Sequence, residues 1–185
     1  SDELSFVIAA AGGTEPSDFP ILITETVDGA PPNGPSVNGG MDWDGGFITF
    51  ASRASNLVTG DTNDAYDLFI RDTCRRYIAD DDCIPATTRA VMGIGGAEPN
   101  GDIGSTDTSP NSSLAVSFNG RYVAFVSSAS NLVPDDTNGV DDIFLLDTCI
   151  EAYPFTACTP GVIRVSVASD GSQATLPASH PAVAD

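Results

Sequence analysis

A 21-residue segment occurs twice in this chain of 185 residues, and the two copies lie 75 positions apart. The first copy reads ASNLVTGDTNDAYDLFIRDTC and begins at Ala54, whereas the second reads ASNLVPDDTNGVDDIFLLDTC and begins at Ala129. Two segments this similar indicate one structural unit that is used twice. Such units bury their apolar surfaces against their neighbours, so the repeat constrains the fold more than any other feature of the sequence.

Short apolar runs separated by Gly, Pro, Asn and Asp make up the rest of the chain, and the strong helix formers are scarce. This composition predicts an all-β fold with almost no helix. The runs that alternate or are rich in β-branched and aromatic residues predict strands. The predicted strands are residues 4–10, 21–27, 47–52, 67–73, 86–92, 122–127, 142–148 and 161–167. The glycine-rich connections between units are expected to contribute an edge strand.

Two pairs of motifs resemble the TolB-like β-propeller repeat family. In that family a turn of the type S-x-D-G-x-Y-V-A-F precedes one strand, and D-I-F/Y-x-x-D forms the next. This chain has SFNGRYVAF with DIFLLD and, more loosely, DWDGGFITF with DLFIRD. The resemblance implies propeller-like blades of antiparallel strands. It implies little about function, because such propellers act as binding platforms, enzymes and scaffolds.

On this interpretation the chain contains an abbreviated blade with its linker at residues 1–40 and two full blades at 41–111 and 112–185. A closed propeller needs at least about four blades, so we expect this unit to be incomplete without a neighbouring copy. The turn Asp28-Gly29 lies 16 residues before Asp44. The same count from Asp170-Gly171 passes the last residue and arrives at Ser1 of a following copy, where SDELSFV aligns with DGGFITF. We therefore expect the partners to be copies of the chain itself, in a tandem array or as associated subunits.

The charge of the chain is strongly negative, with 26 acidic and 7 basic side chains and a formal net charge of −19. Nucleic acids and anionic membranes are therefore poor partners, whereas cations are good ones. No apolar run approaches the roughly 20 residues of a membrane-spanning helix, so membrane insertion is not expected.

The Asp/Asn-rich loop inside each repeat has the pattern D-x-N-x-x-x-D. Calcium takes six to eight oxygen ligands, and alternating carboxylates and amides in a turning loop can supply them, as in the opening of an EF-hand loop. Asx turns without any metal are the alternative. We predict calcium binding. The predicted ligands are Asp61, Asn63, Asp67, Asp136, Asn138 and Asp142, with Asp64 and Asp141 as additional carboxylates.

Four cysteines follow the same repeat, as Cys74 with Cys83 and Cys149 with Cys158. Each pair flanks a short excursion after a predicted strand, which suits a disulfide across the ends of a hairpin. Zinc is the competing interpretation, but this spacing is not typical of a zinc site. Two disulfides indicate an oxidising compartment and hence a secreted, extracellular or cell-surface protein.

Catalytic patterns are scarce. The single histidine, His180, lies in a connection, and the sequence has no lysine and no G-x-S-x-G motif. Trp43 aligns with Phe118 of the second unit, which predicts a core position. We therefore expect no enzyme but an extracellular, calcium-binding structural module that assembles head to tail into a fibre or tandem propeller array. The alternative is a ligand- or protein-binding propeller domain of a larger secreted protein.

Overall fold

Two four-stranded antiparallel sheets form the fold in a computed structural model, which describes residues 22–75, 82–104, 113–150 and 157–184. The first sheet contains β1 (Ser36–Met41), β2 (Phe47–Ser52), β3 (Asp67–Asp72) and β4 (Ala86–Arg89). The second contains β5 (Leu114–Val116), β6 (Tyr122–Ser127), β7 (Asp142–Asp147) and β8 (Gly161–Arg164). In both sheets, strands that follow each other in sequence are neighbours in space, and neither sheet closes on itself. The described residues contain no α-helix, only a single 3-10 turn at Ile94–Gly96, so the all-β prediction is confirmed.

Most predicted strands are present, and one is wrong. Over Leu22 to Val27 the chain forms turns instead of the predicted strand, because the Thr26 hydroxyl donates to Asp28 Oδ1 (2.8 Å) and to the carbonyl of Ala30 (2.6 Å). Such local bonds compete with a strand ladder. The edge strand expected from each connection is confirmed as β1 and β5, and β1 begins at Ser36, ahead of the predicted unit boundary at residue 41. The predicted strand at residues 4–10 lies outside the described residues.

The second sheet packs one of its faces against the first sheet. Phe125 and Phe144 stack on that face with ring centroids 5.6 Å apart, and both are fully buried. They belong to a cluster that includes Leu68 of β3 and two residues from the connection between the sheets, Val91 and Ile103. The main core of the molecule is therefore the contact between one repeat unit and the next.

The opposite face of the first sheet repeats this arrangement. Phe50 and Phe69 stack with ring centroids 5.7 Å apart, and Ile23 from the preceding segment packs against them. Because side chains alternate along a strand, Phe69 faces this side while its neighbour Leu68 faces the second sheet. Each sheet thus directs its pair of phenylalanines towards the part of the chain that comes before it.

A proline-asparagine-glycine sequence fastens each connection to the loop of the next sheet. The backbone N–H of Asn33 donates to Asn56 Oδ1 (3.0 Å), and the Asn33 amide donates to Ser55 Oγ (2.9 Å). Asn100 makes the same two bonds to Asn131 (3.1 Å) and Ser130 (3.0 Å). We call residues 26–35 and 93–102, which carry these anchors, the first and second connecting segments.

Gly34 is required by this anchor, and we expect Gly34→Ala to lower the free energy of unfolding by about 1–3 kcal/mol. A Cβ atom there would lie 2.6 Å from the carbonyl oxygen of Arg53 and 2.8 Å from the backbone nitrogen of Ala54. Backbone atoms cannot rotate away as a side chain can. Gly161→Ala is the matched control, since its Cβ would meet only one atom, at 3.9 Å. Urea denaturation measures both variants, and equal stabilities would contradict the tight approach.

The predicted core position of Trp43 is wrong. Trp43 and Phe118 lie on the turns that precede β2 and β6, and both are exposed. Their rings stack on each other with centroids 6.0 Å apart and planes 15° from parallel, and the Trp43 N–H donates to the Phe118 carbonyl (2.9 Å). The alignment of the two aromatics was informative, but it reflected a surface contact between neighbouring turns.

Candidate functional site

An arginine lies among the carboxylates of the first acidic loop. Arg89, the last residue of β4, has Nη2 3.2 Å from Asp61 Oδ1 and Nε 3.3 Å from Asp67 Oδ2. All three side chains are buried. Strand pairing produces this contact, because β3 begins at Asp67 and Arg89 is opposite Phe69 in the neighbouring strand. The loop is therefore a buried ion-pair cluster built at one end of the sheet.

Glu98, from the second connecting segment, closes this cluster from the other side. Its Oε1 accepts from Arg89 Nη1 (3.0 Å) and from the backbone N–H of Thr62 (2.8 Å), and its Oε2 accepts from the Thr62 hydroxyl (2.5 Å). These bonds, led by the hydroxyl of Thr62, lower the pKa of Glu98 to about 2. One guanidinium therefore faces three carboxylates in this loop.

Asn63 organises the turn within the loop. Its amide nitrogen donates to both oxygens of Asp67 (3.2 and 3.3 Å) and to the carbonyl of Pro99 (3.1 Å). Its side-chain oxygen accepts from the backbone N–H of Ala65 (3.2 Å), which is an Asx turn. Both ends of the amide are thus engaged with the protein itself.

The second loop has the same construction with one change. Arg164 Nη1 lies 2.9 Å from Asp136 Oδ1 and 3.5 Å from Asp142 Oδ2, and the Asn138 amide donates to Asp142 Oδ2 (2.8 Å). Gln173 stands where the first loop has Glu98, and its Oε1 accepts from Arg164 Nη1 (3.1 Å). The second guanidinium therefore faces two carboxylates and a neutral amide.

Asp142 has a further partner in the second loop. The hydroxyl of Ser166 donates to Asp142 Oδ1 (2.5 Å) and accepts from the backbone N–H of Ile143 (3.1 Å). Both carboxylate oxygens of this fully buried residue are therefore bonded to protein groups.

The two additional predicted ligands have backbone roles at the edge of the loops. Asp64 is exposed and has a φ of 53°, and the equivalent position of the second loop is Gly139 with a φ of 67°. Aspartate and glycine both tolerate this left-handed conformation, so the two positions share a backbone shape. Asp141 accepts at its main-chain carbonyl from the N–H of Ala178 (2.8 Å), as Tyr66 does from Ile103 (2.7 Å).

Burial raises the pKa of the carboxylates that face the arginines. Loss of hydration is the main cause for Asp61, Asp67 and Asp136, and the neighbouring guanidinium opposes it in each case. The pKa of Asp67 rises furthest, to about 6. Each arginine therefore compensates only part of the cost of burying the charge that it contacts.

As arranged, these loops do not fit a calcium ion. Calcium needs six to eight oxygen atoms at 2.3–2.6 Å, roughly, around one point. Here a positive guanidinium contacts the same carboxylates that were predicted to bind the metal, and the asparagines present amide nitrogens to them. The predicted residues do come together in each loop, but around an arginine. Calcium binding, as predicted from the sequence, is untested, and this arrangement of charges argues against it in the two loops.

Arg89 and Arg164 are the site residues that the sequence interpretation missed. They lie 75 positions apart, in TTRAV and VIRVS, and so follow the repeat as strictly as the aspartates do. Glu98 and Gln173 share the same spacing. In a chain with only 7 basic residues, two arginines at equivalent positions were a readable signal for a charge partner.

The carboxyl ¹³C resonance of Asp67 is expected to shift with pH, with a midpoint near pH 6. The ordinary value is 3.8 and the folded value is about 6, so the folded protein binds this proton more tightly than the unfolded chain. The contribution of Asp67 to the free energy of unfolding is therefore greatest below pH 3.8 and decreases as the pH rises to about 6. NMR titration with and without calcium measures the midpoint. A value below the ordinary one, or a large fall on adding calcium, would contradict the arginine-filled loop.

Both predicted disulfides are present, Cys74 with Cys83 and Cys149 with Cys158. An aspartate caps the backbone beside each one: Asp72 Oδ1 accepts from the N–H of Cys74 (2.9 Å), and Asp147 Oδ1 from that of Cys149 (3.0 Å). These Asp-Cys-Cys groups are compact enough to suggest metal sites, but sulfur in a disulfide is not a thiolate ligand. These groups are therefore disulfide-linked turns at the ends of strands β3 and β7. The sequence predicts a solvated hairpin tip at Asp80, Asp81 and Asp82, of which Asp80 and Asp81 lie outside the described residues.

Among the residues that the structure describes, no helix has the length and apolar character needed to cross a bilayer. The two disulfides are compatible with a secreted protein.

Comparison with known proteins gives no relative on which to base a function. No protein family, no curated protein and no solved structure matches this chain. Its function must therefore be argued from its own residues.

Proposed function

We propose that this chain is a structural β module of the cell exterior that assembles end to end with copies of itself and has no catalytic role. In this proposal the two sheets are propeller-like blades of a larger array. One observation supports it: the connecting segment that fastens the second sheet to the first has a counterpart in front of the first sheet, which is anchored to the loop of that sheet by the same bonds.

The counterpart matches bond by bond. Asn33 and Asn100 make the same pair of hydrogen bonds, each to the loop of the sheet that follows. The backbone N–H of Val27 donates to the carbonyl of Asn56 (3.4 Å), and that of Ile94 donates to Asn131 (2.8 Å). Residues 93–102 make these contacts on leaving the first sheet. The first connecting segment therefore has the geometry of an exit from a preceding blade.

The loops support a structural role better than a catalytic one. Their carboxylates are bonded to arginines, asparagines and backbone N–H groups, so their oxygens hold the loop together. His180 is exposed and within 2.9 Å of the hydroxyl of Ser179, in a connection. Disulfides and ion-pair clusters at equivalent positions of both units suit a module that must stay folded outside the cell.

Electron microscopy and sedimentation of the full chain test this proposal. We expect elongated assemblies of variable length that grow with protein concentration, because a heterologous contact that does not close produces filaments. Assembly is also expected to strengthen with salt, since the net charge of −19 makes the copies repel each other. Discrete monomers at every concentration and salt level would overturn it.

A separate measurement, the melting temperature with and without calcium, tests whether the ion binds to the loops. We expect equal melting temperatures in calcium and in a chelator, because Arg89 and Arg164 already provide the positive charge in the two loops. A ligand that binds only the folded state raises its stability, so a bound ion would be detected as a loss on chelation. Magnesium serves as the control cation. A marked fall in melting temperature with the chelator would reinstate calcium as the partner of the loops.

A ligand-binding module is the second candidate, and a groove between the two sheets favours it. The groove has a volume of about 450 Å³ and is lined by Phe47 and Ile70 of the first sheet and by Leu146 and Ile150 of the second unit. Its size lies within the range of small-molecule sites, but it is open along one side. Saturable binding of an apolar dye that Ile70→Asp abolishes in a monomeric protein would favour this candidate.

A further inference from the structure

The outer face of the second sheet is the equivalent of the face by which the first sheet contacts the second. On the first sheet, Leu68 and Ile70 lie on the face turned towards the second sheet, and Leu68 is fully buried there. Their equivalents are Ile143, which is only half-buried where Leu68 is fully buried, and Leu145, which is half-buried as Ile70 is. Because side chains alternate along β7, these two point away from Phe144, whose ring faces the first sheet. The second sheet thus presents outwards the face that the first sheet uses to bind a neighbour.

This outer face is at least as apolar as its counterpart on the first sheet, where Thr88 is exposed at the rim and Ala90 packs against the core between the sheets. Ile163, which is 58% exposed, stands where the first unit has Thr88, and Val165, which is 43% exposed, stands where it has Ala90. Ile163 is opposite Leu145 in the sheet, and the N–H of Val165 donates to the carbonyl of Ile143 (2.9 Å), so these side chains adjoin one another. A set of apolar side chains grouped on one sheet face is the signature of an interaction surface. We call it the tail face.

A second apolar surface lies at the other end of the molecule. Ile23 packs against the phenylalanines of the first sheet, whereas its neighbours Leu22 and Val27 are 54% and 63% exposed. They belong to the segment with the geometry of a blade exit. We call Leu22 and Val27 the head surface. The head and tail surfaces lie beyond opposite faces of the two stacked sheets.

We propose that the tail face binds the head surface of a second copy of this chain, so that the copies stack in one direction. The inference rests on the proposed function and names the surfaces that perform it. Within the chain, the contact between the sheets joins the outer face of one unit to the phenylalanine face of the next, and the two surfaces differ. If the same contact continues from copy to copy, the interface is heterologous. The tail face of one copy must then meet the head surface of the next.

Single-ended variants test this assignment. Ile163→Asp with Val165→Asp places charges on the tail face, and Leu22→Asp with Val27→Asp places them on the head surface. Sedimentation velocity is expected to show that each double variant alone is monomeric under conditions in which the natural chain forms oligomers. A mixture of the two is expected to form dimers and nothing larger, because one intact tail face meets one intact head surface. Ile84→Asp, directly after Cys83 at a position that is 82% exposed, is the control and is expected to assemble normally.

The outcomes separate the surfaces from the function. If the natural chain assembles and the tail variant assembles equally well, the tail face is not the docking surface. If the head variant alone forms stable dimers, two tail faces bind each other symmetrically and the head-to-tail assignment is overturned. If the natural chain itself stays monomeric, the proposed function fails with it. Melting curves of each variant, expected to match the natural chain because the substituted side chains are exposed, show that loss of assembly is not loss of folding.

Discussion

Replacing Arg89 with methionine is expected to lower the free energy of unfolding by about 3–5 kcal/mol, which is the usual cost of removing one partner from a buried ion pair. Methionine keeps much of the volume but none of the charge. Asp61 and Asp67, both buried, would lose the guanidinium that lies 3.2 and 3.3 Å from them. Urea denaturation at neutral pH measures the loss. Acidification should restore part of it, because protonated Asp67 no longer needs a countercharge.

Arg121→Met is the matched control for this prediction. Arg121 pairs with Asp147 at 2.9 Å, but both side chains are about one-third exposed, so water can replace the lost partner. The expected loss of stability is small, because exposed ion pairs contribute little to the free energy of unfolding. A further variant that combines Arg89→Met with Asp61→Asn and Asp67→Asn should be more stable than Arg89→Met alone, because no buried charge is left unpaired. If Arg89→Met costs no more than Arg121→Met, the arginine is not the charge partner of the loop.

Phe125→Ala is expected to be as damaging, with a loss of about 3–5 kcal/mol. Phe125 is fully buried and belongs to the cluster between the two sheets, together with Leu68 of the first sheet. The resulting cavity therefore weakens the contact between units as well as the second sheet itself. Urea denaturation followed by fluorescence of Trp43, which lies in the first unit, tests whether the two sheets unfold together.

Phe118→Ala is the control for this substitution. Phe118 is exposed, and its ring stacks on Trp43 at the surface, so we expect a loss of about 1 kcal/mol or less. Equal losses for Phe118→Ala and Phe125→Ala would contradict the location of the core between the sheets. A Trp43 signal that persists after the second sheet has unfolded would show that the units are energetically independent.

The repeat made the strands and disulfides predictable, because both depend on local sequence. Alternating apolar residues mark β2, β3, β6 and β7, and the pairing of Cys74 with Cys83 follows from a single hairpin. The strand at residues 21–27 was predicted on the same grounds, and over Leu22 to Val27 it is wrong, because the side chains of Thr26 and Asp28 bond the backbone of Ala30. Apolar composition alone did not reveal that competition.

The sequence predicted which acidic and amide residues form the loops, but not the arginine that lies among them. The pattern of Asp61, Asn63 and Asp67 identifies a cluster of oxygen atoms, yet it does not say which cation lies among them. Arg89 comes from a different strand, 22 positions after Asp67, and reaches the loop only through the pairing of β3 with β4. Nor does the sequence distinguish burial from exposure at an aligned pair such as Trp43 and Phe118, since both outcomes preserve an aromatic residue.

The anchors made by Asn33 and Asn100 have a consequence for how such a chain can be cut or recombined. The loop of each sheet is held by a segment that precedes that sheet, and its acidic turn is held by a segment that follows it. A fragment trimmed at the first and last strand of one sheet would therefore lose contacts on both sides. Duplication of a stretch that is one full period long, wherever it starts, gives every loop both the preceding and the following segment that bond to it. Such an array can lengthen by whole periods during evolution, because each added period makes the same contacts as the existing ones.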